Sequence, residues 1–296
     1  MKRVGVLRGG TGNHYESSLK KGGDVLTLMA EQLSDKYKPI DIFVDREGLW
    51  HIGGVPVTVP TLAQKVDVVW STMPPEVTQV LHNFSIPHIN SSPFSSLLVN
   101  SRDMLREHMQ KIGINLPRHI IFPQYQEDFD GARERYAIKK AKETFEKFGA
   151  PWIIKSFPEN PNVGVYVAKT FNELAGAIDD ISSYGGSVLV EELVPGKSTE
   201  VHSIAGFRGE DVYTMPVVGL AKHEKEKIYG LVKDLFHHLD AKFYLNTHFT
   251  MHPKLGIYLT GVNFLPNLEK DSHFHQSCES VGARMSHVVE HILERL

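Results

Sequence analysis

Apolar and polar residues alternate along the first third of the chain in a pattern that predicts strands and helices in turn. Apolar runs with the length of buried strands lie at 2–7, 39–44, 66–70 and 86–89. A helical spacing of apolar residues follows the first run, and another covers 75–84. Strands that alternate with helices indicate a parallel, doubly wound sheet, so we expect residues 1–96 to form a first domain of this α/β class.

The middle of the chain predicts a second domain over 97–185. A helix over 98–112 and a strand over 118–122 open it, and a helix rich in Lys, Arg and Glu follows over 127–149. Such a run of charges is typical of a solvated helix face, and we assign it no function. The β-rich runs 151–155 and 165–169 then predict an antiparallel hairpin, which a helix over 171–181 follows.

The remaining residues, 186–296, predict a third domain that again mixes strands and helices. An apolar strand over 187–191 precedes two further strands that pair around a turn at 209–211. The later elements are a helix over 223–239, strands over 243–250 and 257–262, and a terminal helix over 283–296.

Composition restricts the classes of function that this chain can have. Its 296 residues are 41% hydrophobic and 23% charged, with a formal net charge of -3, as in ordinary globular proteins. The charges are interspersed, which excludes the basic stripe of a nucleic-acid-binding protein. No apolar run approaches the roughly 18 residues of a membrane span or the core of a signal peptide, so we predict a cytoplasmic protein. The single Cys278 excludes an internal disulfide, and we interpret it as a buried apolar residue.

Two loops between a strand and the next element have the composition of anion-binding turns. Glycines at 9, 10 and 12 separate the first strand from the first helix, where free amides meet a helix N-terminus. Their spacing does not match a dinucleotide fingerprint, so we favour a tight turn. In the second loop, Lys155 ends a strand, and a stretch with Pro158, Pro161 and Gly164 leads to the next one.

Four segments in order resemble the D-alanine–D-alanine ligases of the ATP-grasp superfamily. They are VGVLRGGTGNHYESSLKKG, WIIKSFPENPNVGV, VLVEELVPGK and IYLTGVNFLPNL, which are similar to the family's opening helix, phosphate loop, adenine segment and metal strand. The resemblance implies an ATP-grasp fold in which the second and third domains clamp ATP. It also implies joining of a carboxylate to an amine through an acyl phosphate, a step of peptidoglycan precursor synthesis. A homodimer is the assembly that the family suggests.

The resemblance also implies roles for individual residues of this chain. Lys155 corresponds to a phosphate-contacting lysine, and Asn263 keeps one oxygen ligand of the metal site. Ser198 stands where the family has a ribose-binding glutamate, and Glu200, two residues on and on the same strand face, is the candidate for that contact. Ser272 stands in the place of a serine near the second substrate, and Ser18 lies in the segment that resembles the family's opening helix; these two are the candidate catalytic residues. The adenine segment corresponds to Glu191, Glu192, Leu193 and Val194.

Other residues that the family uses for chemistry are replaced. Asn246 stands where the family has an arginine, and His248 and Gly261 stand where it has metal-binding carboxylates. Met104 replaces a nucleotide-binding lysine, and Glu159 adds a negative charge to the phosphate loop. Because Mg²⁺ prefers hard oxygen ligands, these replacements predict weak ATP binding and a poor Mg²⁺ site.

Three function classes therefore remain. We favour a catalytically impaired or inactive relative of these ligases that binds a nucleotide, a small ligand or a protein. The alternatives are an active D-alanine–D-alanine ligase and a ligase with a rewired site and another substrate. The sequence does not decide among them.

The sixteen histidines raise one more alternative. Histidines that could form a transition-metal site in the third domain are His237, His238, His248, His252, His273 and His275. We favour the interpretation that they are solvent-facing or satisfied core histidines, and metal binding stays open.

Overall fold

A computed structural model of the protein describes residues 1–12, 14–73, 75–157, 163–217 and 219–296. The chain divides into two compact units. Unit 1 comprises Met1–Ile114, Ser198–Phe249 and Gly261–Leu296, and unit 2 comprises Asn115–Lys197 and Thr250–Thr260. The division into three domains at 96 and 185 stays a prediction. In the part of the chain that the structure describes, no helix is long and apolar enough to cross a membrane.

The first sheet belongs to unit 1 and has the strand order β4-β3-β2-β1-β5-β6. Its strands are β1 (Lys2–Gly9), β2 (Tyr37–Val44), β3 (Trp50–Ile52), β4 (Val55–Val57), β5 (Val68–Ser71) and β6 (His88–Ile89). The pairs β1–β2, β1–β5 and β5–β6 are parallel, which confirms the predicted sheet. The antiparallel pair β3–β4 was not predicted, because strands of three residues give too short a pattern.

The helices of this region follow its strands, and the sequence predicted the first and third of them but not the second. They are α1 (Tyr15–Gln32), α2 (Val59–Lys65), α3 (Pro75–Asn83), α4 (Pro93–Asn100) and α5 (Arg102–Lys111). The single helix predicted over 98–112 is wrong, because the backbone of Ser101 is extended and ends α4. The Ser101 side chain then accepts a hydrogen bond from the amide of Met104, so it caps the start of α5.

Unit 2 is built on a second sheet with the order β7-β10-β8-β9. Its strands are β7 (His119–Phe122), β8 (Trp152–Phe157), β9 (Tyr166–Ala168) and β10 (Ser187–Glu192). Strands β8 and β9 pair antiparallel, which confirms the predicted hairpin. The helices are α6 (Glu127–Asp130), α7 (Arg133–Lys147) and α8 (Phe171–Ser183). The helix predicted over 127–149 is interrupted at Gly131, whose φ of 70° is a left-handed value that ends α6.

The third sheet has the order β12-β11-β13-β14. Its strands are β11 (Lys197–Ala205), β12 (Val212–Thr214), β13 (Tyr244–His252) and β14 (Gly256–Asn263), and the later helices are α9 (Lys222–His238), α10 (His273–Ser280) and α11 (Met285–Glu294). The predicted pairing of β11 with β12 is confirmed. Helix α10 was not predicted, because few of its residues are apolar.

The largest apolar cluster of unit 1 joins residues that are far apart in sequence. Val25 and Met29 of α1 pack in one cluster with Val288, Val289 and Ile292 of α11. A hydrogen bond of 2.9 Å from Lys2 Nζ to the carbonyl of Leu293 lies nearby. The first and last elements of unit 1 therefore share one core.

Candidate functional site

Glu200 lies at the centre of a polar cluster in unit 1. Glu200 and His202 are two residues apart on β11, so their side chains extend from the same face of the strand. His273, the first residue of α10, meets them there. Facing atoms of these three side chains all lie within 4.8 Å of one another. The structure thus brings Glu200 and His273 together with His202. The sequence had indicated the first two as candidate site residues but not His202.

Two side chains of β13 border this cluster. Asn246 Nδ2 donates a hydrogen bond of 2.7 Å to Glu200 Oε1. His248 Nε2 lies 4.0 Å from the same carboxylate oxygen. The alternation of side chains along β13 explains why Asn246 and His248 reach Glu200 together. The other amide atom of Asn246, Oδ1, is buried and has no hydrogen-bond partner among the described residues.

The places of the family's other metal ligands lie on β14. A Cβ atom at Gly261 would lie 3.1 Å from Cδ2 of His248, so the imidazole lies directly over this glycine. Asn263 is exposed two residues further along the strand. Gly261 offers no side-chain ligand.

The residues present do not fit a magnesium ion. Mg²⁺ requires near-octahedral coordination by oxygen, usually with one or two carboxylates. Among the described residues near His248 and Gly261, Glu200 supplies a carboxylate, but Asn246 and His248 surround it with nitrogen. We therefore assign no step of a reaction to Mg²⁺ in this protein.

His202 is a neutral imidazole at neutral pH. Burial, and then the proximity of His273 and His248, lower the pKa of His202 to about 3. Its Nδ1 lies 2.7 Å from the hydroxyl oxygen of Tyr244, which is itself buried. Its Nε2 lies 2.8 Å from Nδ1 of His273. This neutral ring therefore has one nitrogen directed at a phenol and the other directed at the cluster.

In unit 2, Lys155 of β8 forms an ion pair with Glu191 of β10. Lys155 Nζ lies 3.2 Å from Glu191 Oε2, and the two side chains are only 14% and 7% exposed. In the register of these strands, Lys155 is opposite Leu189, so Glu191 is its diagonal neighbour on the same face. The ammonium that the sequence assigned to phosphate thus has a carboxylate beside it.

The other residues of the predicted adenine segment make separate contacts within unit 2. Glu192 lies on the opposite face from Glu191 and accepts a 2.6 Å hydrogen bond from Arg118 Nε. The amide of Leu193 donates to the carbonyl of Pro151 at 2.9 Å, and Val194 is half-buried. The predicted phosphate-loop residues 158–162, which include Glu159, lie outside the described residues.

The two serines proposed as catalytic take part in local structure of unit 1. Ser18 is buried, and its Oγ accepts a 3.0 Å hydrogen bond from the amide of Gly9. Ser272 Oγ accepts a 3.1 Å hydrogen bond from the amide of His275 and so caps α10. Because Ser272 fixes the first turn of α10, it also fixes the backbone of His273.

Other histidines that the sequence grouped together lie away from the cluster. His237 pairs with Asp211, and His275 pairs with Glu279, at 3.3 and 3.7 Å. His238 packs edge-on against His108, and His252 accepts hydrogen bonds from backbone amides of its own turn. A Glu-x-His pattern on a strand is the signal that would have identified His202, since residues two apart share a face.

Comparison with known proteins shows which family these elements are similar to. A family model described as the D-alanine–D-alanine ligase C-terminus matches residues 108–218. A D-alanine–D-alanine ligase of Geotalea uraniireducens is 22% identical over 99% of this chain and 94% of that protein. One of Natranaerobius thermophilus is 24% identical over 69% of this chain, and that match spans 63% of the relative's length.

Solved structures extend the similarity to the whole fold. D-alanyl-alanine synthetase A of Vibrio cholerae matches with a TM-score of 0.76 at 18% identity, over 99% of this chain and 98% of that one. A D-alanine–D-alanine ligase of Bacillus anthracis in complex with ATP matches with a TM-score of 0.72 at 17% identity, over 99% and 96% of the two chains. With its sheets and helices in this order, the chain has an ATP-grasp fold and is similar to D-alanine–D-alanine ligases along its length.

Proposed function

We propose that this protein binds a ligand with its ATP-grasp fold and does not synthesise D-alanyl-D-alanine. The composition of the Glu200 cluster carries this proposal. Glu200 is its single carboxylate among the described residues, and Asn246, His248 and Gly261 occupy the places of a cation and two carboxylates. Transfer of a phosphoryl group to a carboxylate brings anions together, and preorganised cations and metal ions offset that repulsion.

The loss of these groups is large enough to suppress turnover. Removal of one preorganised charge-stabilising group costs about 2.7 to 4 kcal/mol of transition-state stabilisation in other enzymes. Such losses are not additive, but three together would still slow the reaction below detection. The proposal concerns turnover with D-alanine, and nucleotide binding is a separate property.

Weak binding of ATP is the second part of the proposal. The family is ATP-dependent, and the Bacillus anthracis relative was solved with ATP. In this chain the ammonium of Lys155 is shared with Glu191, which reduces its attraction for phosphate. The proposed ligand is therefore ATP, another small molecule or a protein. A cytoplasmic location and a homodimer stay predictions.

A coupled phosphate-release assay tests the proposal. We expect no D-alanine-dependent phosphate release above background with ATP and Mg²⁺, while the Geotalea uraniireducens relative is the positive control. Turnover with D-alanine would contradict the proposal and establish a ligase. Turnover with another amino acid from a panel would establish a ligase with a rewired site.

A thermal-shift titration tests the nucleotide part. A ligand at 100 times its dissociation constant stabilises the folded state by about 2.7 kcal/mol. We expect a smaller stabilisation at millimolar ATP and no gain when Mg²⁺ is added. A large shift that depends on Mg²⁺ would mean that the nucleotide site is intact.

A further inference from the structure

Three side chains of unit 1, Glu200, His202 and His273, present potential ligand atoms to one another. The distance from His202 Nε2 to His273 Nδ1 is 2.8 Å. Glu200 Oε1 lies 3.6 Å from His202 Nε2, and Glu200 Oε2 lies 3.7 Å from His273 Nδ1. The two imidazole nitrogens thus lie close together, and each faces a different oxygen of the Glu200 carboxylate.

The spacing of these atoms is compatible with a zinc coordination tetrahedron. With metal–ligand bonds of about 2.0 to 2.1 Å, two ligands of a tetrahedral site are about 3.3 Å apart. The distances of 2.8, 3.6 and 3.7 Å, of which the last two end at different oxygens of Glu200, lie on both sides of that value. With one ligand atom taken from each residue, all three atoms lie within 4.8 Å of one another.

Neighbouring groups orient the ligands in the way that metal sites require. Imidazole ligands of metals usually donate their second ring N–H to another group, which fixes the tautomer. The hydroxyl oxygen of Tyr244 can accept such a bond from Nδ1 of His202, 2.7 Å away. The carboxylate of Glu200 is held by Asn246 in the same manner. When His202 carries its proton on Nδ1 and His273 on Nε2, two lone pairs face each other and a cation between them removes their repulsion.

We propose that Glu200, His202 and His273 bind one divalent transition-metal ion, with Zn²⁺ as the best fit, and leave the fourth coordination position open. Two imidazoles with one carboxylate suit Zn²⁺, Ni²⁺ or Cu²⁺ better than Mg²⁺. Three protein ligands with an open position are the arrangement of zinc sites that bind water or a small molecule. The side chain of His273 is 48% exposed, so the ion can enter from solvent. The inference does not depend on whether ATP binds.

Zinc titration of the untagged full chain tests this site. We expect one Zn²⁺ per chain by equilibrium dialysis with elemental analysis, and no displacement by excess Mg²⁺. His273→Ala and Glu200→Gln should each weaken binding at least about tenfold, as losses around metal sites do. His275→Ala is the matched control, because His275 lies on the same helix and pairs with Glu279. It should change the affinity less than twofold.

Cobalt substitution gives a second readout that does not rely on affinity. Co²⁺ in this site should show the strong visible absorption of a four-coordinate ion, and the spectrum should be lost in Glu200→Gln. Glu200→Gln keeps a side-chain oxygen that can accept the hydrogen bond from Asn246. We therefore expect this variant to fold and to test the site even if circular dichroism shows that His273→Ala does not fold. Absence of stoichiometric Zn²⁺ binding would overturn the proposal. A loss of Zn²⁺ affinity in His275→Ala as large as that in His273→Ala would overturn it as well. In either case the cluster is a hydrogen-bonded polar group and no metal site.

Discussion

Cys278 shows how burial of one residue changes its ionisation. The thiol is fully buried in the cluster that joins α1 and α11, as the sequence predicted for a small apolar residue. Burial, and then the nearby charge of Glu279, raise the pKa of Cys278 from 9.0 to about 12. Above pH 9 the thiol of the unfolded chain loses its proton while the folded protein keeps it. Stability is therefore unaffected below pH 9 and falls as the pH rises toward 12.

The pH dependence of unfolding tests this at residue scale. From pH 8 to pH 10, the free energy of unfolding of the wild type should fall by about 1.4 kcal/mol more than that of Cys278→Ala. Urea titrations at the two pH values measure the difference. Parallel losses in the two proteins would show that the thiol ionises equally in both states.

Gly9, the last residue of β1, has a backbone conformation that tolerates no side chain. Its φ is 99°, and a Cβ atom there would lie 2.1 Å from the carbonyl oxygen of Val44. Gly9→Ala should therefore lower the free energy of unfolding by about 2 to 4 kcal/mol. Gly12→Ala is the matched control, because among the described residues no atom beyond its chain neighbours lies within 4 Å of a Cβ there. Its free energy of unfolding should stay within about 0.5 kcal/mol of the wild type. Chemical denaturation of both variants measures these changes in the free energy of unfolding. Equal changes in the two variants would contradict the assignment of strain to Gly9.

Strands β8 and β10 place one ion pair in a nearly buried position, which gives a prediction at the scale of elements. Lys155→Met would leave the carboxylate of Glu191 without the ammonium 3.2 Å away. Loss of one partner of a buried pair costs about 3 to 5 kcal/mol, whereas replacement of both by apolar residues is often neutral. We expect Lys155→Met to be destabilised by about 3 kcal/mol and Lys155→Met/Glu191→Leu to recover most of that loss.

Urea denaturation of the two variants and the wild type measures these changes. Little destabilisation of Lys155→Met would indicate that the lysine contributes nothing to the sheet.

The elements that the sequence predicted well are those with an apolar pattern and clear ends. Strands β1, β2 and β10 are short buried runs, and α9 is a long amphipathic helix. The breaks at Ser101 and Gly131 were missed because apolar spacing continues through both positions. A capping hydroxyl and a left-handed φ, rather than hydrophobicity, end those helices.

The polar cluster could not be predicted as a whole, since it depends on which elements pack together. Glu200 and His202 are visible as a pair on one strand, but His273 lies 71 residues from His202. Nothing local in the sequence indicates that α10 begins beside β11. The replacements at Asn246, His248 and Gly261 were visible only because the order of motifs along the chain identified the family.

Reconstruction of the family's metal ligands gives a prediction at the scale of the whole molecule. His248→Asp combined with Gly261→Glu should not produce D-alanine-dependent phosphate release. The change would add two carboxylates, but Asn246 and Met104 would still stand where the resemblance implies cations. Removal of one preorganised charge-stabilising group costs about 2.7 to 4 kcal/mol of transition-state stabilisation in other enzymes.

The same coupled assay, with the Geotalea uraniireducens relative as positive control, measures the outcome. Release well above wild type would mean that metal binding was the one missing function. Circular dichroism of the double variant controls for loss of the fold.

The arrangement of unit 1 along the chain also determines when it can fold. Val25 and Met29 of α1 share a core with Val288 and Ile292 of α11, and residues 115–197 of unit 2 come between. A ribosome that adds 5 to 20 residues per second needs roughly 13 to 50 s to synthesise the chain between α1 and α11. For that time the apolar face of α1 has no cover from α11. We therefore expect the nascent chain to bind chaperones until α11 has emerged from the ribosome.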